Sequence, residues 1–174
     1  MSARTEPRFT RDADLAVVAA DDADAEQLVA DLQTRGWQVL TAMEEDASRR
    51  LAAVRLSSED RAGEGVVVDV LFASSGVEAE IVAAAEPVEI FPGIVVPIAQ
   101  PGHLVALKIL SRDDRTRPQD AADLRALLKS ADDGVVDAAR TVLALVEARG
   151  FHRGRDLGRD LERALRELGP ASGG

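Results

Sequence analysis

Near Pro97 to Pro101 the chain changes its hydrophobic period, and that change limits the folds open to it. Upstream, apolar residues come in short alternating or β-branched runs: Leu15-Ala16-Val17-Val18, Trp37-Gln38-Val39-Leu40, Leu51 to Leu56 and Val66 to Phe72. Strand side chains alternate between two faces, so these runs read as strands. Downstream of Pro101 the apolar residues recur every three or four positions, which predicts helices over 101–113, 117–130, 134–149 and 154–168. A strand-rich half followed by a helical half predicts an α+β fold, with a mixed sheet and helices on one face. The expected division is an α/β core over 1–100, a helical region over 101–168 and a flexible tail over 169–174.

Local signals mark the joints. Asp21-Asp22 offers an N-cap and an acidic first turn, Leu28, Val29 and Leu32 form a stripe, and Arg35-Gly36 closes that helix. The polar, glycine-bearing segment Ser57 to Gly65 reads as a turn joining an antiparallel pair of strands. Glu78 to Ala85 reads as a short helix. Pro92-Gly93 is a turn dipeptide between Pro87 to Phe91 and Ile94 to Pro97, and the flanking prolines predict a hairpin at a sheet edge.

Candidate chemistry begins with Arg8-Phe9-Thr10-Arg11-Asp12-Ala13-Asp14, which runs directly into the first strand. Asp12 and Asp14, two residues apart, share a face if they sit in or at the mouth of that strand. By itself a D-x-D is more often a solvated loop than a metal site. Asp69 adds to it, because a carboxylate at the centre of Val66 to Phe72 is costly to bury and needs a cation or a donor. That partner is either a core-facing Arg or Lys, or a divalent cation shared with Asp12 and Asp14. Three carboxylates on one point suit a hard cation that also takes phosphate oxygens.

The order R-x-T-x-D-x-D, then a single Asp in a later apolar strand, resembles the nucleotidyltransferase superfamily with its polymerase-β-like fold. Leu104-Val105-Ala106-Leu107-Lys108, followed by Arg117-Pro118-Gln119-Asp120-Ala121-Ala122-Asp123-Leu124, is similar more narrowly to AbiEii-type and MenA-type nucleotidyltransferase toxins of bacterial toxin-antitoxin systems. The resemblance covers about Ser2 to Leu128. It implies a Mg2+-dependent enzyme that transfers a nucleoside monophosphate from a nucleoside triphosphate to an acceptor, tRNA or protein. Asp12, Asp14 and Asp69 then hold the metal, and Asp69 also activates the acceptor hydroxyl. Lys108 meets nucleotide phosphate, Asp120 or Asp123 is a catalytic acid or supports the site from behind, and Arg8, Thr10 and Arg11 are phosphate or metal-loop contacts, or else the arginines form plain ion pairs with neighbouring acids. Partners implied are a cognate antitoxin or a second copy of the chain.

The family also carries a Gly-Gly or Gly-Ser pair on a helix shortly before this segment, where backbone amides cradle the triphosphate. No such pair precedes Arg8, so the expectation is a native start upstream of Met1. The alternative is a nucleotidyltransferase-like binding or regulatory module that has lost catalysis. A glycosyltransferase reading of D-x-D is disfavoured, since no doubly wound nucleotide-sugar domain is evident.

Several residues have plainer readings. Lys108, Arg112 and Arg115 form a cationic stripe that reads equally as a solvated helix face. Asp120 and Asp123 read as acids stabilising a helix start after Arg117-Pro118. The basic segment Arg149 to Arg155 reads as an interhelix turn or a nucleic-acid contact. Broad nucleic-acid binding is disfavoured by a net charge of −10, and stacking platforms by an aromatic content of 3%. Trp37 and the Phe residues are expected as core or interface anchors. The absence of cysteine excludes thiolate metal sites, and with only His103 and His152 a histidine-cluster site is disfavoured. Neither a transmembrane run nor a leader is found, so the expected location is the cytoplasm, with no membrane partner.

Overall fold

The computed structural model describes residues 12–44, 50–58, 65–72, 75–112 and 118–169. They fall into two compact units, one within 9–83 and the other within 84–174. The fold is α+β, as the change of period predicts.

The first unit is built on a four-stranded sheet of β1 (Asp12–Ala16), β2 (Gln38–Glu44), β3 (Leu51–Ser58) and β4 (Val66–Leu71), in the order β1-β4-β3-β2. The sheet is mixed: β1 runs parallel to β4, whereas β3 is antiparallel to both β4 and β2. The β3–β4 pair is therefore the antiparallel pair expected around Ser57 to Gly65. Helix α1 (Asp22–Thr34) is entered through Asp21, whose carboxylate accepts from the Asp24 amide, and Gly36 follows it at φ +94°. Its Ala25 joins Val54, Leu56, Val68, Val70 and Phe72 in one core cluster, with Leu28, Val29, Leu32 and Trp37 packed against it. Val54 and Leu56 flank Arg55, and Val68 and Val70 flank Asp69, so strand alternation sends these two charged side chains to the other face. Helix α2 (Glu78–Ala83) follows; before it, the Ser75 amide and hydroxyl both donate to the buried Glu78 carboxylate.

The second unit begins with β5 (Glu86–Phe91) and β6 (Ile94–Ile98). The hairpin expected around Pro92-Gly93 forms a two-stranded sheet of its own, in which both strands are edges, as its prolines require. Pro87 pairs with Pro97 across the ribbon. Neither proline has an amide hydrogen, which removes donors that a further strand would need. Phe91 is exposed at the turn, so of the two roles expected for it, core or interface anchor, the core role does not hold.

Four helices complete the unit: α3 (Pro101–Ser111), α4 (Pro118–Lys129), α5 (Asp133–Ala148) and α6 (Leu157–Leu168). Asp132 and Asp156 cap α5 and α6 by accepting from Val135 and Arg159 amides. Val105, Ile109, Leu124, Leu128, Leu143, Leu157 and Leu161 are fully buried in this half. At Gly102, an added Cβ would lie 2.6 Å from Ala138 Cβ and 2.9 Å from Val135 O, so α3 and α5 approach closely there. No helix among the described residues is long and apolar enough to cross a membrane. The expected tail lies beyond the described residues, apart from Gly169.

Candidate active site

Strand pairing brings the predicted carboxylates onto neighbouring strands. Asp14 of β1 is the register partner of Asp69 in β4, and Asp12 stands two residues earlier, opposite Val67. Both aspartates of the D-x-D lie within β1 rather than in a loop before it, which removes the solvated-loop reading. Adjacent strands run about 4.8 Å apart, so paired positions on one face bring side chains within reach of a common ligand. The side chain of Asp12 lies outside the described residues, as do Arg8, Thr10 and Arg11.

Asp69 has an ionic partner, as a carboxylate in an apolar strand requires. Arg55, its register partner on β3, donates from Nε to Oδ1 at 2.8 Å and from Nη2 to Oδ2 at 2.7 Å. This fork geometry is the strongest form of arginine–carboxylate pairing. The side chains are 47% and 24% exposed, so the pair stands on an open face rather than within the core. Asp14, Asp69 and Arg55 thus form one row across three adjacent strands. Sequence reasoning anticipated a basic partner for Asp69 without naming it. The signal was present: Arg55 is the one charged residue in Leu51 to Leu56.

In the helical unit, Lys108 of α3 lies 3.2 Å from Asp123 of α4, with side chains 21% and 10% exposed. Lys108 therefore does not stand on a solvated face. Arg112, the next member of the cationic stripe, lies 3.5 Å from Glu167 of α6, and Arg115 lies outside the described residues. Of the two acids left open by the sequence, Asp123 is the one brought to Lys108. It sits in the second turn of α4 and is buried, so a role confined to the helix start does not describe it. Asp120 lies in the first turn, and its side chain is outside the described residues.

The basic segment before α6 acts as an interhelix clamp. Arg155 donates to the carbonyls of Ile109 and Leu110, both at 3.0 Å, and to Asp160 at 2.6 and 2.9 Å. Carbonyls in the last turn of a helix lack intrahelical donors, and a guanidinium satisfies them. Arg155 therefore fixes the end of the helix that carries Lys108, a role sequence reasoning missed because its acceptors are some 45 residues away.

Among the described residues, no three His, Cys, Asp or Glu side chains gather as a metal site. The donor chemistry nevertheless fits a hard cation. Asp14 and Asp69 offer only carboxylate oxygens, and an oxygen that accepts one hydrogen bond from Arg55 retains a lone pair for a metal.

A search of curated proteins returned no match. The family model described as nucleotidyl transferase AbiEii toxin, type IV TA system, matches residues 1–171. With the D-x-D strand, its Asp69 neighbour and the Lys108–Asp123 pair all inside that span, the chain belongs to the AbiEii nucleotidyl transferase toxin family of type IV toxin-antitoxin systems.

Proposed function

We propose that this protein transfers a nucleoside monophosphate from a nucleoside triphosphate to a hydroxyl of a tRNA or protein acceptor, with Mg2+ as cofactor. The observation that carries the reading is the facing register of Asp14 and Asp69 on adjacent strands, two residues beyond Asp12. Asp12, Asp14 and Asp69 would hold the metal, which when bound neutralises the triphosphate and the departing pyrophosphate.

In the reaction, the acceptor oxygen attacks the α-phosphorus, and the bond from that phosphorus to the α–β bridging oxygen breaks. Pyrophosphate leaves. The proton of the acceptor hydroxyl passes to the carboxylate of Asp69, the general base. Lys108 is the cation we assign to a nucleotide phosphate, with its ammonium held by Asp123. A nucleoside triphosphate substrate supports action in the cytoplasm.

A second reading has an observation in its favour: both Asp69 oxygens are already engaged by Arg55, as in a purely structural ion pair. It makes the chain a nucleotidyltransferase-like binding module without catalysis. Incubation with each of the four α-labelled nucleoside triphosphates, Mg2+, and total tRNA or protein separates the two. The catalytic reading expects labelled acceptor, with loss of roughly 100-fold or more in Asp69→Asn, as for removal of a general base. Labelling unchanged in both Asp14→Asn and Asp69→Asn would overturn the assignment, and nucleotide binding without any transfer would favour the module.

A further inference from the structure

Arg55 has no role in the reaction as proposed, yet it donates to both oxygens of the Asp69 carboxylate. It approaches from β3, whereas Asp14 lies on the other side of Asp69, on β1. A single hydrogen bond leaves a carboxylate free to rotate about its last torsion. Two parallel bonds to a planar guanidinium fix its plane. Half of the Arg55 side chain is exposed, so the fork is not imposed by enclosure in a core.

We propose that Arg55 is the positioning residue of Asp69: its fork sets the carboxylate plane so that a remaining lone pair faces the Asp14 side of the row. The inference rests on Asp69 serving as a metal ligand in the proposed function. Partners that orient a metal ligand from behind commonly contribute ten- to hundredfold to metal affinity. Charge alone acts in the opposite sense, because removing a cation beside a cation site favours metal binding. The sign of the effect therefore separates orientation from simple neutralisation.

The test is titration of the full chain with Mn2+ and a non-hydrolysable nucleoside triphosphate, read by Mn2+ paramagnetic resonance, with melting temperature measured in parallel. Variants are Arg55→Ala, Arg55→Lys, Asp69→Asn and the double variant Arg55→Ala/Asp69→Asn. Positioning predicts about tenfold weaker Mn2+ binding in both Arg55 variants, since lysine keeps the charge and loses the fork. In the Asp69→Asn background, Arg55→Ala should then change binding less than about twofold, because an effect routed through Asp69 has nothing left to act on. A fold-change equal in both backgrounds overturns the proposal and makes Arg55 a direct phosphate contact. Unchanged or tighter binding in Arg55→Ala, or full affinity in Arg55→Lys, overturns it as well. If Asp69→Asn binds like the parent chain, the metal-ligand reading itself fails, a result distinct from any of these.

Discussion

The two units handle charge in opposite ways. On the sheet, Asp14, Asp69 and Arg55 stand in a row on the face away from α1, where water and ligands can reach them. In the helical unit, Lys108 and Asp123 are largely enclosed between α3 and α4. An exposed ion pair contributes little to stability, and its members can exchange partners at small cost. Breaking an enclosed pair strands a charge in a poor dielectric. The sheet row is thus suited to receiving a ligand, whereas the helical pair also helps to hold its two helices together.

Core substitutions give the largest expected effects and can break the comparison outright. Leu56→Ala in the sheet unit and Leu161→Ala in the helical unit should each cost about 3 kcal/mol, as for other fully buried leucines. Calorimetry should show each substitution lowering a different part of the unfolding transition. One transition lowered equally by both would mean that the units unfold as a single cooperative body.

Asp123→Asn comes next. Loss of the carboxylate 3.2 Å from Lys108 should cost about 2–3 kcal/mol, below the 3–5 kcal/mol of a fully enclosed pair. Lys108→Met combined with Asp123→Leu should recover most of it, and urea unfolding measures both. A cost under about 0.5 kcal/mol would place this pair with surface pairs and erase the contrast with the sheet.

Gly102→Ala sharpens the account of how α3 is placed. Its Cβ would meet Ala138 and the Val135 carbonyl, forcing α3 from α5 at about 1–3 kcal/mol, typical of overpacking. Thermal melting reads the loss, and an unchanged melting temperature would show that α3 shifts freely.

The smallest stability change is expected on the sheet face. Asp69→Asn should alter unfolding free energy by no more than about 1 kcal/mol, since its pair with Arg55 is solvent-facing. The same substitution should weaken metal-dependent nucleotide binding by about ten- to hundredfold, leaving binding that can still be measured. A large stability loss would make Asp69 a structural residue, contrary to the role assigned to it.

Much of this was legible from near neighbours. The helix entry at Asp21 and the exit at Gly36 are written in single residues, because caps satisfy amides and carbonyls only a few positions away. The β3–β4 pair, the switch to helices at Pro101 and the ordered motif set were legible for the same reason: alternation, period and spacing are local properties. Asp69 likewise announced its need for a cation from its apolar neighbours alone.

The identity of that cation was decided by strand register. Arg55 and Asp69 meet because β3 and β4 pair across a turn, and a shift of one residue would have turned Asp69 into the core. Register also set Asp14 beside Asp69, through a parallel pairing between strands more than fifty residues apart. Helix packing chose Asp123 for Lys108, Glu167 for Arg112 and the α3 carbonyls for Arg155. Which charge answers another depends on how whole elements dock, and docking follows from apolar faces that bury together. The sequence by itself determined the elements and the residue types able to do the chemistry; only the tertiary structure decided which of them face one another, because long-range pairing sums many weak local preferences that no single window contains.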